Sequence, residues 1–427
     1  MIRKSILLAG FVIGGLTACG QQSDERAGEA AQSASEPNIV TEETVKSPKK
    51  ETLAAQIEAL RADLEAGKYG LIDEVLLEHE GETVFHLTFE HDYDAIVKGR
   101  ELQDQPFDYA NPKWHPYYHD TDLHTLQSVT KSITSVLIGI LETDGRLPNV
   151  ADAKFLDFID DVYEVPHRDE NWEAMTIEDL LMMRANMDWN EDGDYDLNDT
   201  NDVVAIEQRE DDWVQYILNK KLNGTPGMEG PWYYNSGASQ LLSAVIQHVT
   251  GQTAEEFAKE TLFTPMGITE YFWKSDRVGT TDTLGGLYLK STDLIKFCKL
   301  MDSDGIWNGK PLLSEDYVNR SLKYWSRFTN NDTDKPNDVR ADRSKKIWKG
   351  GYGYQWWLGD DTSPSDKTFG GSGYGGQYPI CYPEKDTALV IYSWNQRDVL
   401  GMEELPTAHM AGWDVRERIR KEIFPLL

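Results

Sequence analysis

The stretch Gln127-Ser128-Val129-Thr130-Lys131-Ser132, continuing to Gly145, decides how the chain is read. Val129, Ile133, Val136, Leu137, Ile140 and Leu141 recur along it at helical spacing, the pattern of a buried helix face. The run stops at Asp144-Gly145, a reasonable helix C-terminus. Ser128 therefore falls in the first turn of a buried helix, with Lys131 one turn further along the same face. A serine hydroxyl is a poor nucleophile until a base takes its proton. A lysine whose ammonium is disfavoured by burial can be that base. Ser-x-x-Lys is a short signature of this chemistry, but chance produces it often, and a serine near a helix start is more commonly a cap. The rest of the chain has to supply partners.

The 427 residues suffice for a large core. They are 40% hydrophobic and 11% aromatic, a globular composition. Against 73 acidic residues stand 42 basic ones, a net charge of -31. That argues against nucleic acid as a partner, because a phosphate backbone needs a basic surface.

The N-terminus reads as an address and not as part of the fold. Arg3 and Lys4 precede an apolar run from Ile6 to Leu16, too short to span a bilayer as a mature helix. Leu16-Thr17-Ala18-Cys19-Gly20 follows and looks like a bacterial lipobox. That likeness implies a signal peptide over 1–18, lipidation of Cys19, and an exported, membrane-tethered protein. Gly20 and Gln21, with no aspartate, would send it to an outer membrane facing the periplasm. The plainer reading is a secretory signal with an incidental cysteine. Residues 19–50 are rich in Gln, Ser, Ala, Glu and Pro and lack aromatics, as a flexible tether does. Cys298 and Cys381 are then the only cysteines of the mature chain, too few for a disulfide framework, and whether they pair depends on the fold bringing them together. No Cys/His cluster has zinc spacing, so no metal is expected.

From residue 51 the chain reads as folded. A helix is expected over 51–67, with Leu53, Ile57, Leu60 and Leu64 on one stripe. Strands follow over Ile72–Glu78 and Thr83–Phe89, joined by the hairpin signal His79-Glu80-Gly81-Glu82. Thr176-Ile177-Glu178-Asp179 is a capping-box pattern opening a short helix. An acidic loop runs to Asp202, a candidate cleft wall. Tyr233-Tyr234-Asn235-Ser236-Gly237 leads into a helix whose core face is Leu241, Leu242, Val245, Ile246 and Val249, ending at Gly251. A phenol near an ammonium can shuttle a proton to a leaving group, and an amide two residues on can bind substrate or lysine. The bland alternative is a loop aromatic packed on the core. Thr387–Trp394 reads as a buried strand and Asp414–Phe424 as a closing helix.

Ser128-x-x-Lys131 followed by Tyr233-x-Asn235 at a loop–helix junction resembles the serine β-lactamase and penicillin-binding-protein superfamily. The likeness is greater to the branch of class C β-lactamases, family VIII esterases and 6-aminohexanoate-dimer hydrolases. It extends to Leu262-Phe263-Thr264-Pro265-Met266-Gly267, Gly285-Gly286-Leu287 and Tyr352-Gly353-Tyr354-Gln355-Trp356-Trp357, in the right order over about residues 70–400. The resemblance implies an α+β fold. An antiparallel sheet flanked by helices would be built from about 70–124 and 276–427, and a mostly helical region would span about 125–275. The active-site cleft would lie between them.

The superfamily's third motif is a Lys/His-Thr/Ser-Gly triplet on the strand lining the cleft. Lys367-Thr368 has Phe369 where glycine is needed, so Gly371-Ser372-Gly373 is the preferred match. It lacks the cation that binds the carboxylate of a β-lactam, which argues against a dedicated β-lactamase. A β-bulge or bend is the structural alternative for its glycines. By the same resemblance, the backbone N–H groups of Ser128 and Tyr374 would form the oxyanion hole; losing such a donor typically costs about 3 kcal/mol. The expected protein is a serine hydrolase without cofactor, acting on a small-molecule or short-peptide ester or amide. Ser128 would be the nucleophile, Lys131 the base and Tyr233 the relay. Asn235 and residues 371–373 would bind substrate. The alternatives are a β-lactamase or D,D-peptidase working on cell-wall-like substrates, and an inactive anchored binding protein.

Overall fold

The hairpin expected after residue 72 is present. Ile72–His79 pairs antiparallel with Glu82–Thr88. Glu80 and Gly81 both take positive φ, 52° and 78°, as a two-residue turn matched to strand twist requires. Ile72–His79 also pairs with Thr387–Ser393, so segments more than 300 residues apart lie side by side near one edge of the sheet. The computed structural model describes residues 48–191, 200–328, 350–359 and 367–427. They lie in a unit spanning Ser47–Leu427. The signal segment, Cys19 and most of the tether are outside the described residues.

The sheet has eight strands in the order Glu82–Thr88, Ile72–His79, Thr387–Ser393, Tyr378–Tyr382, Phe369–Gly370, Trp357–Leu358, Gly350–Tyr352 and Ser326–Phe328. Every pairing is antiparallel. Strand alternation divides its side chains between two cores. Val75, Leu77, Leu389 and Ile391 face one way, onto Leu60 and Leu64 of the helix Pro48–Glu65 and onto Val415, Ile419 and Ile423 near the C-terminus. Leu76, Val390 and Tyr392 face the other way, into a larger core shared with the helical part. The first helix begins three residues before the expected 51, because proline fits the first helical position. The closing helix starts at Ala408, also earlier than expected.

Between residues 125 and 275 the described elements are helices, apart from Phe272–Trp273 and the end of a two-residue strand, His124–Thr125. These pair on either side of Leu287–Leu289 in a three-stranded sheet. Two helices form the centre. Thr130–Thr143 is buried along nearly its whole length. Ser236–Thr250 buries Leu241, Leu242, Val245 and Ile246 completely and ends on Gly251 at φ 71°.

Cys298, in the helix Ser291–Asp302, is disulfide-bonded to Cys381 on the strand Tyr378–Tyr382. Sequence alone left this pairing open. With a sequence separation of 83, the bond removes chain entropy from the unfolded state worth about 2–5 kcal/mol. Replacing both cysteines by alanine is expected to lower the thermal midpoint by several degrees. Adding a reductant should lower the parent's midpoint and leave that of the variant where it is.

Candidate active site

Ser128 is presented by an unusual turn. Gln127, just before it, holds φ 48°, a region non-glycine residues enter at a cost of roughly 1–3 kcal/mol. Gln127–Val129 forms a short 3-10 turn that runs straight into the helix Thr130–Thr143. Ser128 lines a pocket together with Glu207, Ser236, Leu284, Gly285 and Tyr374. No sequence signal marks Gln127 as strained.

Lys131 stands one turn below with only 1% of its surface exposed. Its Nζ donates to Ser128 Oγ at 3.0 Å and to the Leu284 carbonyl at 2.6 Å. The expected Ser–Lys pair is therefore assembled, with the lysine aimed by a backbone carbonyl that no side-chain pattern announces. The loop carrying Leu284 is tied to both central helices. Thr130 Oγ1 accepts from Leu287 N at 3.1 Å, and Gln240 donates to the Thr281 carbonyl at 3.0 Å.

The Tyr-x-Asn segment arrives as expected at the start of Ser236–Thr250. Tyr233 N–H donates to the Met183 carbonyl, which anchors the loop to the end of the capping-box helix Ile177–Leu181. The ring lying over the Lys131 ammonium is that of Tyr234, with its centroid 5.3 Å from Nζ. Tyr234 also stacks on Trp357. Asn235 is 3% exposed, and its Oδ1 accepts from Ala238 N at 2.9 Å as the helix N-cap. That oxygen caps the helix, and the Leu284 carbonyl accepts from Lys131.

Residues 371–373 run beside the nucleophile. A Cβ on Gly373 would lie 2.3 Å from the Leu126 carbonyl oxygen, and one on Gly371 would lie 3.0 Å from Val129. Glycine is required at 373 for this approach to the turn bearing Ser128, and at 371 any side chain would press on Val129. Gly373 N–H donates to the Gln377 carbonyl at 2.9 Å, closing a turn that brings Tyr374 into the pocket with Ser128. Lys367 is exposed and faces Glu384 at 3.8 Å.

A buried charged group behind the pocket was not legible in sequence. Asp282 and Lys274 are both 0% exposed at the side chain, with Nζ and Oδ2 4.0 Å apart. Lys274 Nζ sits over the rings of Phe107 and Tyr109. The Tyr109 hydroxyl donates to Glu207. Burial pushes the Glu207 carboxyl up to about 7, although Lys274 and the Tyr109 hydrogen bond pull it down. The folded state then holds this proton more tightly than the unfolded chain, where the group titrates near 4.5. Stability from this group is fully present below about 4.5 and is lost as pH rises through about 7, by up to about 3 kcal/mol. Glu207→Gln should match the parent in urea unfolding at pH 4.5 and exceed it at pH 8.

Comparison with known proteins adds to this geometry. Residues 94–406 match the family model for β-lactamase. The chain is 23% identical over 296 residues to the 6-aminohexanoate-dimer hydrolase of Paenarthrobacter ureafaciens, covering 65% of this chain and 68% of that one. Among solved structures, a family VIII carboxylesterase superposes with a TM-score of 0.56 at 14% identity, covering 89% of this chain and 98% of that one. An octameric penicillin-binding protein homologue from Pyrococcus abyssi gives a TM-score of 0.57 at 16% identity, with 87% and 77% covered.

Proposed function

The chain belongs to the β-lactamase family and is a serine hydrolase, and from that premise we propose that it cleaves esters or amides through an acyl-enzyme on Ser128. The observation that carries this reading is the 3.0 Å contact between Lys131 Nζ and Ser128 Oγ, with the lysine buried. Ser128 Oγ attacks the substrate carbonyl carbon while its proton passes to Lys131 Nζ. The developing oxyanion is held by the backbone N–H groups of Ser128 and Tyr374, whose residues line one pocket. A phenol then returns the proton to the leaving alcohol or amine, and water releases the acyl group. Family resemblance assigns that phenol to Tyr233, and its neighbour Tyr234, whose ring lies over the Lys131 ammonium, is the control. Tyr233→Phe and Tyr234→Phe, assayed side by side, identify it by which one loses turnover.

The substrate class follows that of the relatives, a 6-aminohexanoate-dimer hydrolase and a carboxylesterase. Lys367 turned toward Glu384 leaves residues 371–373 without the cation that suits a β-lactam carboxylate. Export as a lipoprotein anchored through Cys19 fits the lipobox-like segment, and the Cys298–Cys381 disulfide suits an oxidising compartment. Among the described residues no helix is long and apolar enough to cross a membrane. A panel of p-nitrophenyl esters, linear amides, a D-alanyl-D-alanine peptide and nitrocefin tests the reading. Ester or linear-amide turnover is expected to dominate. Rapid nitrocefin or D,D-peptide turnover without ester cleavage would establish the β-lactamase or peptidase alternative. A chain inert to every acyl donor would be a binding protein.

A further inference from the structure

We propose that Asp282 is the positioning residue of the Ser128–Lys131 pair, acting through the Leu284 carbonyl and through its own buried charge. The inference rests on the serine hydrolase reading above and goes beyond it. Three observations support it.

Asp282 builds the turn that holds Lys131. Its Oδ1 accepts from the N–H of Leu284 at 3.2 Å and of Gly285 at 2.9 Å, and Leu284 in turn offers its carbonyl to Lys131 Nζ. The side chain folds back under the loop so tightly that a Cβ on Gly286 would lie 2.7 Å from Asp282 Cβ. Glycine at 286 is thus required by the position of this carboxylate. The main chain of Asp282 is held as firmly: its N–H donates to the Lys274 carbonyl at 2.9 Å, and its carbonyl accepts from the Trp273 indole at 2.7 Å.

The carboxylate is more than a turn-former. A turn could be made by asparagine or serine at lower desolvation cost, whereas Asp282 is fully buried and burial is the largest influence on its titration, raising it. Lys274 and Lys131 are the charges that oppose that rise. Its Oδ2 has no hydrogen bond among the described residues and faces the Lys274 ammonium 4.0 Å away. Glu207 is the other acidic group in this cluster, and it lies at the pocket wall. When Lys131 takes the Ser128 proton, a new positive charge appears in a site closed to solvent. A fixed carboxylate stabilises that charge without reorganising, and stabilisation that appears only as the proton moves accelerates acylation.

The test uses the full chain and a p-nitrophenyl ester, comparing the parent with Asp282→Asn, which keeps the Oδ1 acceptor and removes the charge. Acylation is expected to slow about 10–100-fold, the scale set by losing a nearby opposite charge. KM should stay within about threefold on the same scale of reasoning, since substrate does not touch Asp282. The pH profile of kcat/KM should move, because a buried charge behind the Ser128–Lys131 pair is gone. A lone buried Lys274 can unfold the single variant, so Lys274→Met/Asp282→Asn removes both charges together. It is expected to fold and to retain the slow acylation. Either variant, folded and acylating at the parent rate with an unmoved pH profile, overturns the proposal. A parent that forms no acyl-enzyme overturns the hydrolase reading itself, which is a different result.

Discussion

Ser128→Ala is expected to abolish turnover, with kcat falling on the order of 10⁴-fold or more, as happens when a unit's nucleophile is removed. The side chain is small and only part-buried, so its loss opens little space in the core. Thermal stability should move by no more than about 1 kcal/mol, the range of substitutions that create no cavity and leave no buried charge unpaired. The lost hydrogen bond from Lys131 is one of two that its ammonium makes to described residues, the other being to the Leu284 carbonyl. An Ala variant with undiminished esterase activity would place the chemistry elsewhere.

Lys131→Met should be nearly as damaging. Methionine fills similar space and is at home in this apolar helix, but it cannot take a proton. The expected loss in kcat is roughly 10²–10⁴-fold, the range for a positioned general base. Stability should fall by about 1–3 kcal/mol, because the buried Leu284 carbonyl loses its donor. Lys131→Arg separates the base role from the charge role. Arginine keeps the positive charge and cannot be deprotonated, so it is expected to be as inactive as methionine. An Arg variant near parent activity would show that Lys131 acts only as a fixed cation.

Much of the frame of this site was legible in the chain. The apolar stripe from Val129 to Leu141 marks the nucleophile helix, and the turn signal His79-Glu80-Gly81-Glu82 marks the first hairpin. Both signals are local; burial is nearly complete along the helix, and in the second strand of the hairpin it falls on Phe85 and Leu87. Ser128 and Lys131 were found together because three residues of helix fix their separation. What escaped reading is non-local or lies in the backbone. The Leu284 carbonyl is an acceptor carried by every residue type, so its letter says nothing of its role. Lys274 and Asp282 meet only because the chain turns between Phe272–Trp273 and Leu287–Leu289. Glu207 ends the apolar run Val203–Ile206, and a single carboxylate beside such a run was the one clue to its burial. Asn235 was given a part in binding, and its Oδ1 is used first as a cap, the commoner use of asparagine at that position. Gly371 and Gly373, expected in the substrate-binding segment, also lie close against the turn carrying Ser128, a proximity that their letters alone do not announce.

The central claim is a covalent acyl group on Ser128. It is tested most directly by intact-mass spectrometry of the full chain, quenched within the first turnovers of a p-nitrophenyl ester and followed by peptide mapping. The expected result is a single acyl increment on the peptide containing Ser128, absent from Ser128→Ala and accumulating normally in Cys298→Ala/Cys381→Ala. Steady ester hydrolysis with the increment on another residue, or persisting in Ser128→Ala, would contradict the account.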